Sequence, residues 1–199
     1  MSCGLMFVRL CQSEPKMTAE IPTIATPRLM LRPLQLADAR AVQILFPRWE
    51  IVQFMASHIP WPYPANGALT FIRDTALPAM LQGAEWHWSI RPKSAPEQLI
   101  GVVSLMDKSD NNRGFWLDLA WQGQGLMLEA SSAVTDYWFE TLGRTVLRVP
   151  KAVANVRSRR ISERTGMRVI KTEERDYVSG RFPAEVWEIT RDEWRNRLR

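Results

Sequence analysis

Two glycines stand one residue apart in the segment Gln122-Gly-Gln-Gly-Leu-Met127, just before an apolar stretch with helical spacing. Glycine tolerates the positive φ angles of sharp turns and lets other groups approach the backbone closely. The first turn of a helix leaves backbone N–H groups without partners, and the helix macrodipole makes that end positive. A strand, a glycine turn and a helix in this order therefore predict a site for a phosphate group.

Two common phosphate loops do not match this segment. A P-loop requires the pattern G-x-x-x-x-G-K-[S/T], which the segment lacks. The dinucleotide fingerprint G-x-G-x-x-G would require glycine in place of Leu128 and an acidic residue ending the next strand, Val146–Val149. A tight turn without a ligand is the structural alternative for the two glycines.

The elements that must position this loop follow from the spacing of apolar residues around it. Asn66 is expected to cap the helix that follows it and Pro78 to disturb its continuation. Gly143 is expected to end the helix after the loop, and Thr190-Arg-Asp-Glu193 is a capping box that begins a terminal helix. Strands are predicted at 26–34, 85–91, 98–106, 113–119, 146–149, 168–175 and 184–189, and helices at 36–46, 49–55, 66–77, 126–142, 156–165 and after 190.

This order of elements predicts an α+β fold, with a mostly antiparallel sheet and one strand–helix–strand crossover over residues 113–149. Hydrophobic residues make up 46% of the 199 residues, and no apolar run reaches the roughly 18 residues of a membrane span. Residues 1–20 are predicted to be a flexible extension, and residues 21–199 a single domain. Both cysteines, Cys3 and Cys11, lie in that extension, so no disulfide framework is expected and a cytoplasmic location is predicted.

The formal net charge is +5, and arginines concentrate in the C-terminal half. They are expected to form either a solvated helix face or a site for an anion or acidic partner. Nucleic acid is the weaker expectation, because no zinc-finger, RNP or helix-turn-helix signature accompanies them. No metal site is expected, because the histidines His58 and His87 form no cluster with ligand spacing.

The segment Gln122–Met127 closely resembles the Q/R-x-x-G-x-G/A acyl-CoA loop of the GNAT superfamily of N-acetyltransferases. Met127 departs from the usual glycine or alanine. Other segments resemble that superfamily in collinear order over residues 26–195, and the first looks like the opening strand of the branch that acetylates ribosomal-protein N-termini. These segments are Thr26–Leu34, the fourth-strand segment Gly114–Asp118, the Asn-x-x-Ser helix Asn155–Met167 and the closing segment Asp192–Trp194.

The resemblance implies a single GNAT-like domain with a splayed central strand pair, which uses acetyl-CoA as co-substrate. Asn155 would bond the pantetheine arm, and Arg160, with Arg157 and Arg159 nearby, would neutralise the 3′-phosphate unless these arginines are only an exposed helix face. Backbone groups of the fourth strand would pair with the arm and those of the loop would hold the pyrophosphate; the residues concerned are Trp116, Leu117, Leu119, Gln122, Gly123, Gln124, Gly125, Leu126 and Met127.

In this superfamily the amine attacks the thioester directly, so the site must supply a neutral amine, a stabilised oxyanion and a proton for the departing thiolate. A backbone N–H of the fourth strand can stabilise the oxyanion. Ser158 stands at the serine position of the ribosomal-protein branch, and Ser162 stands where many relatives carry tyrosine. We expect Ser158 to be the proton donor, with Ser162 as the substitute; either could also serve only the helix.

The general base is the least defined part of the site. Relatives often carry glutamate where this chain has Asn111-Asn-Arg113. Asp118 is the nearest carboxylate, although it could equally stabilise the turn, and Glu85 and His87 are further candidates. A lysine amine with a pKa of about 10.4 costs roughly 4–5 kcal/mol to be neutral at pH 7, whereas an α-amine at about 7.8 costs about 1. An α-amine acceptor is therefore predicted.

The sequence thus predicts an acetyl-CoA-dependent N-acetyltransferase that acts on an α-amine of a protein, peptide or small molecule. The proline-rich loop His58–Asn66, with Trp61 and Tyr63, is expected to line the acceptor cleft unless it only packs on the first helices. Met127 and the missing glutamate leave open a CoA-binding module without catalysis, and the arginines leave open a basic RNA- or ribosome-binding adaptor. The acceptor and the oligomeric state are not specified.

Overall fold

The computed structural model describes residues 20–197. The extension predicted at residues 1–20 lies, except for its last residue, outside this range. The strands are β1 (Ile24–Ala25), β2 (Leu29–Pro33), β3 (Glu85–Pro92), β4 (Gly101–Met106), β5 (Arg113–Leu117), β6 (Val146–Ala152), β7 (Arg168–Tyr177) and β8 (Gly180–Thr190). The α-helices are α1 (Ala39–Leu45), α2 (Trp49–Val52), α3 (Gly67–Phe71), α4 (Leu77–Leu81), α5 (Leu126–Asp136), α6 (Val156–Arg164) and α7 (Arg191–Asn196).

The strands form two antiparallel sheets, in the orders β1-β2-β3-β4-β5 and β6-β8-β7. β5 and β6 meet where the Asn112 N–H donates to the Arg148 carbonyl at 2.7 Å. Three residues further along each strand, Lys151 Nζ lies 4.8 Å from the centroid of the Phe115 ring. The two strands therefore run in parallel and are joined at one end, while side chains occupy the gap that opens beyond it. This is the splayed strand pair that the sequence predicts.

Helices cover both faces of the larger sheet, and each face has its own hydrophobic core. The first core lies under α5 and contains the fully buried Trp88 and Leu105, and the second lies under α1–α4 and contains Val52 and Ile72. Successive side chains of a strand point to opposite faces, so Leu117 enters the first core and Trp116 packs against the second. The end of β5 is thereby held from both sides.

The helix after Asn66 differs from its prediction in two respects. Asn66 stands at the N-cap without a side-chain hydrogen bond, and Gln43 of α1 instead accepts from the Ala68 N–H at 3.0 Å. The helix is disturbed before Pro78, as predicted, by a π-helical turn at Ile72–Ala76, but it continues as α4 beyond its predicted end at Leu77. The wider turn lies directly before Pro78, where an α-helical backbone would lack a donor and clash with the ring.

The predicted ends of two other helices are confirmed. α5 continues through a second π-helical turn, Tyr137–Thr141, and Gly143 follows with a φ of +65°. Thr190 and Glu193 form the predicted capping box of α7. Among the helices of the described residues, none is long and apolar enough to cross a membrane.

Candidate functional site

The glycine loop leads into α5 with its backbone open toward solvent. Gly123 and Gly125 have φ angles of +79° and +76°, a region that favours glycine. A Cβ built on Gly123 would meet no atom within 4 Å. Gly125 is the N-cap of α5, and the N–H groups of Gly125, Leu126 and Met127 find no acceptor within residues 20–197. Open space in front of unpaired N–H groups at a helix start fits a phosphate group.

Two arginines from distant parts of the chain flank this loop. Arg28, which precedes β2, donates from Nη1 to the Gln124 carbonyl at 3.0 Å and from Nε to Glu129 at 2.7 Å. Arg157 of α6 donates from Nη1 to Gln122 Oε1 at 2.8 Å. The loop therefore combines the positive end of a helix with the guanidinium group of Arg157, an arrangement that binds anions, whereas the charge of Arg28 is already matched by Glu129.

The pairing of β5 with β4 decides which backbone groups of β5 face the gap. The Asp118 N–H donates to the Ile100 carbonyl of the adjoining strand, and Val102 is the β4 partner of Trp116. Along an antiparallel strand, every second residue directs its backbone N–H and C=O groups to the same neighbouring strand. The backbone groups of Trp116 therefore point to β4, whereas those of Phe115 and Leu117 point to the gap. Trp116, predicted as a backbone ligand of the arm, is therefore turned away from the gap, and of the three only Phe115 and Leu117 present backbone groups to it.

The side chain of Gln122 ties the loop to β5. Its Nε2 donates to the Leu117 carbonyl at 2.9 Å, while its Oε1 accepts from Arg157. The Leu117 carbonyl is thereby occupied, and its N–H remains for a ligand. Leu119 begins the short 3₁₀ turn Leu119–Trp121 that connects β5 to the loop.

On the other side of the gap, the start of α6 presents Asn155 and Ser158. Asn155 caps the helix, because its Oδ1 accepts from the Ser158 N–H at 3.2 Å, and its amide nitrogen remains free to donate. The Ser158 hydroxyl accepts from Lys151 Nζ of β6 at 2.6 Å. Its own proton has no acceptor within the described chain and can be donated to a ligand.

Lys151 and Arg113 are buried cations beside this gap, with 6% and 3% of their surfaces exposed. Burial and, secondarily, the charge of Arg113 hold the pKa of the Lys151 ammonium well below its usual value. Burial and the nearby Arg197 lower the pKa of the Arg113 guanidinium to about 10. Arg113 donates to Thr135 Oγ1 and approaches Met167 Sδ, so neither contact supplies a negative charge.

Three other candidates from the sequence lie in different surroundings. Ser162 is completely buried, and its hydroxyl has no hydrogen-bond partner in the described part of the chain. Asp118 is half-buried at the N-cap of the 3₁₀ turn, where its backbone rather than its side chain makes the cap contact. Arg159 forms a bidentate pair with Glu185 of β8 and is thereby directed away from the loop. Arg160 is exposed one turn beyond Arg157 and so shares its helix face.

The structure also places the residues that left readings without catalysis open. Met127 is buried in the first core, so its departure from the usual glycine or alanine changes packing rather than the ligand surface. Arg157, Arg160 and Arg164 of α6 are exposed and have no carboxylate partner within the described residues, whereas several other C-terminal arginines are paired with carboxylates. These pairs are Arg144–Asp107, Arg148–Glu188, Arg159–Glu185 and Arg168–Glu193.

Aromatic rings pack together on the Trp116 face of β5. The Phe46 ring lies edge-on to Trp116 at 5.4 Å and to Tyr63 at 5.2 Å between centroids. Tyr63 belongs to the predicted proline-rich loop, and Trp61 of that loop is 5.5 Å from Trp49. The loop therefore packs on the first helices, which is the alternative to a wall of the acceptor cleft, and Phe46 connects it to the Trp116 side of β5.

The hairpin of β7 and β8 completes this face. Its tip docks on the segment after α2, where the Val178 N–H donates to the Met55 carbonyl at 3.0 Å and Ser179 Oγ donates to the Gln53 carbonyl at 2.6 Å. Phe54 packs against Tyr177 and Phe182 of the hairpin. The two sheets are thus bridged over the open part of the gap.

Glu85, His87 and Ser104 form a buried hydrogen-bonded chain on this face of the larger sheet. His87 Nε2 is 2.8 Å from Glu85 Oε2, and His87 Nδ1 is 2.7 Å from Ser104 Oγ. A carboxylate only accepts, so Nε2 carries a proton and donates to Glu85, while Nδ1 is hydrogen-bonded to the Ser104 hydroxyl. Both ring nitrogens are occupied, so His87 cannot take a proton from a ligand directly.

These hydrogen bonds predict how the stability of the protein depends on acidic pH. The hydrogen bond from His87, helped by Lys108, outweighs burial and lowers the pKa of Glu85 from 4.5 to about 2. The associated stability is complete above the ordinary pKa and is lost as the pH falls toward the folded value. The free energy of unfolding in urea falls as the pH is lowered from about 5 to 2. In Glu85→Gln this fall should be smaller than in the wild type by about 1–2 kcal/mol. The exposed control Glu50→Gln should lose stability as the wild type does; equal behaviour of both variants contradicts the assignment.

The sequence did not single out Lys151, Phe115 or Arg28 for the site. A lysine in the strand before the Asn-x-x-Ser helix carried no signal by itself, because lysines are usually exposed. The role of Phe115 depends on how β5 pairs with β4, which the sequence does not show. Arg28 contacts Gln124 of the loop across a separation of 96 residues. Within residues 20–197, no group of three or more metal-ligating side chains occurs.

Comparison with known proteins agrees with this geometry. A family model described as an acetyltransferase (GNAT) domain matches residues 28–168, which is more than half of the chain. No curated protein matches the chain in sequence.

Solved structures of N-acetyltransferases share the fold. RimL, a ribosomal L7/L12 α-N-protein acetyltransferase in complex with coenzyme A, has a TM-score of 0.72 at 17% identity, covering 87% of this chain and 98% of its own. The ribosomal-protein-S5-alanine acetyltransferase of Vibrio fischeri has a TM-score of 0.73 at 14% identity, with coverages of 87% and 98%. The spermidine N-acetyltransferase of Vibrio cholerae, with CoA and spermine, has a TM-score of 0.71 at 18% identity, with coverages of 86% and 100%.

Proposed function

This chain belongs to the GNAT acetyltransferase family, and we propose that it transfers the acetyl group of acetyl-CoA to an α-amine rather than to a lysine side chain. Acetyl-CoA-dependent acetylation of an amine follows from the family; the acceptor class is our proposal. The observation that carries it is the state of the candidate bases. Glu85 and both nitrogens of His87 are bonded to each other and to Ser104, so neither is free to deprotonate a strongly basic amine.

We assign the binding of acetyl-CoA to the loop and the splayed strands. The backbone from Gln122 to Met127 holds the pyrophosphate, with Arg157 close enough to balance its charge and Arg160 exposed for the 3′-phosphate. The gap-facing N–H groups of Phe115 and Leu117 serve the arm and the oxyanion. The amide nitrogen of Asn155 bonds the arm from the other side. The fit rests on open space before Gly123 and on N–H groups that lack acceptors.

Ser158 is the proton donor for the departing thiolate in this proposal. Its hydroxyl lies at the start of α6 beside the gap, and Lys151 already donates to its oxygen, which leaves its proton directed elsewhere. Ser162 lacks this position because it is fully buried. Asp118 is the remaining carboxylate near the loop, and we assign it to the turn that connects β5 to the loop.

The names of similar structures favour protein N-termini and leave polyamines as the comparison to be made. RimL and the S5-alanine enzyme are named for protein α-amine or alanine acceptors, whereas the spermidine enzyme is named for a polyamine. The decisive assay measures release of free thiol from acetyl-CoA with peptides and with spermidine as separate acceptors.

The pH dependence separates the two kinds of amine. With a peptide that has a free N-terminus and no lysine, kcat/KM should rise with pH and level off near the acceptor pKa, about 7.7–8.0. With an N-terminally blocked peptide that contains lysine, kcat/KM should still rise above about pH 9. If the blocked peptide is the better substrate at neutral pH, the α-amine proposal is wrong and a general base operates, with Asp118, Glu85 and His87 the first to replace.

A further inference from the structure

Lys151 has no counter-charge of its own. Its Nζ donates to Ser158 Oγ at 2.6 Å and lies over the Phe115 ring at 4.8 Å. The cross-strand partner of Lys151 is Glu185 of β8, but both oxygens of that carboxylate are bonded to Arg159. Within the described residues, the lysine is therefore paired with a hydroxyl and an aromatic face instead of an acid.

A buried cation without an anion is unfavourable, and proteins retain such groups mainly where they serve a function. Lys151 faces a second cation, Arg113 of β5, which raises the cost further. Burial therefore makes the Lys151 ammonium a better acid than an ordinary lysine. An anion that forms transiently in the gap beside Ser158 would relieve this unfavourable charge.

We propose that Lys151 supplies the proton and the counter-charge for the departing CoA thiolate, acting through Ser158. The inference rests on the proposed function. The amine nitrogen forms a bond to the acetyl carbonyl carbon, and the C–S bond breaks with its electron pair left on sulfur. Ser158 Oγ donates its proton to that sulfur and receives one from Lys151 Nζ. The proton released by the new amide goes to water, from which Lys151 is reprotonated after the product leaves.

Lys151 is thus a positioning residue for the proton donor, and its role has a signature that packing alone does not have. Bound CoA in the wild-type protein should have a thiol pKa below the ordinary value of about 8.5, because thiolate formation beside Lys151 is favoured. In Lys151→Met the thiol pKa of bound CoA should rise by about one unit or more. Ultraviolet absorbance of the thiolate against pH measures both values.

Binding and turnover complete the test. Lys151→Met should lower kcat at least tenfold, because assistance to proton transfer is lost. Its affinity for desulfo-CoA should equal that of the wild type. Its stability to urea should be unchanged or higher, because an unpaired buried charge is removed. Lys171→Met, at an exposed lysine of β7, is the matched control and should leave every reading unchanged. Lys151→Arg should keep the low thiol pKa, since the charge is retained.

The outcomes separate this inference from the proposed function. If the wild type binds CoA and releases thiol, but Lys151→Met has the same kcat and the same thiol pKa, the role of Lys151 is wrong and the function stands. If Lys151→Met loses as much affinity for desulfo-CoA as for CoA, Lys151 only shapes the gap and the inference also fails. If the wild type binds neither CoA nor desulfo-CoA, the proposed function itself fails.

Discussion

Replacement of Gly123 by glutamate is expected to abolish detectable acetyl-CoA binding while the chain remains folded. The substitution places a carboxylate in the open space before the loop, where the pyrophosphate is expected to bind, so it adds both bulk and like charge. The positive φ of +79° adds backbone strain, which costs about 1–3 kcal/mol for a residue other than glycine. Titration calorimetry with acetyl-CoA on the folded variant measures the effect.

Gly143 provides a matched control for the strain. It has a φ of +65°, a Cβ there would also meet nothing within 4 Å, and it lies at the far end of the helix that begins at the loop. Gly143→Glu should lose a similar amount of stability and keep its affinity for acetyl-CoA. Gly125→Glu is less informative, because its Cβ would lie 3.5 Å from Arg28 Nη2 and an ion pair could form. Unchanged affinity in folded Gly123→Glu contradicts the assignment of the phosphate loop.

Ser158→Ala should lower kcat by about 100-fold with little change in CoA affinity, because the variant loses a proton donor that acts mainly in the transition state. The capping bond to Asn155 uses the Ser158 backbone, so α6 should still form. Ser162→Ala, one turn further along the same helix, is the control and should retain activity, since its buried hydroxyl has no partner in the described structure. Steady-state thiol release and calorimetry give the two quantities.

The kinetics of the two serine variants also define the failure of this assignment. If Ser158→Ala turns over as fast as the wild type, the thiolate is protonated by water or by another group. If Ser162→Ala is the slower variant, the donor has been assigned to the wrong turn of α6. Loss of CoA affinity in Ser158→Ala without loss of kcat would make Ser158 a binding residue instead.

Features that depend on neighbouring residues could be predicted from the sequence. The loop Gln122–Met127 was identified because glycine, helix start and phosphate affinity are linked through the local backbone. The Gly143 stop and the Thr190 capping box are likewise contained within a few residues. The alternation of β3 and the buried apolar run of β4, joined by polar turn residues at 92–97, indicated an antiparallel hairpin. Pro78 indicated a disturbed helix, but the π-helical turn that lets the helix continue past it left no signal in the pattern.

Features that depend on strand register or on distant contacts were decided by the tertiary structure. Whether Trp116 or Phe115 turns its backbone to the gap depends on the pairing of β5 with β4, and a shift of one residue would exchange them. Lys151 became notable only when the fold buried it beside Ser158 and bound its cross-strand carboxylate to Arg159. His87 was excluded as a free base only by its contact with Ser104. Charge and proton transfer depend on burial and on partners that the fold brings together, whereas a backbone phosphate loop is built from consecutive residues.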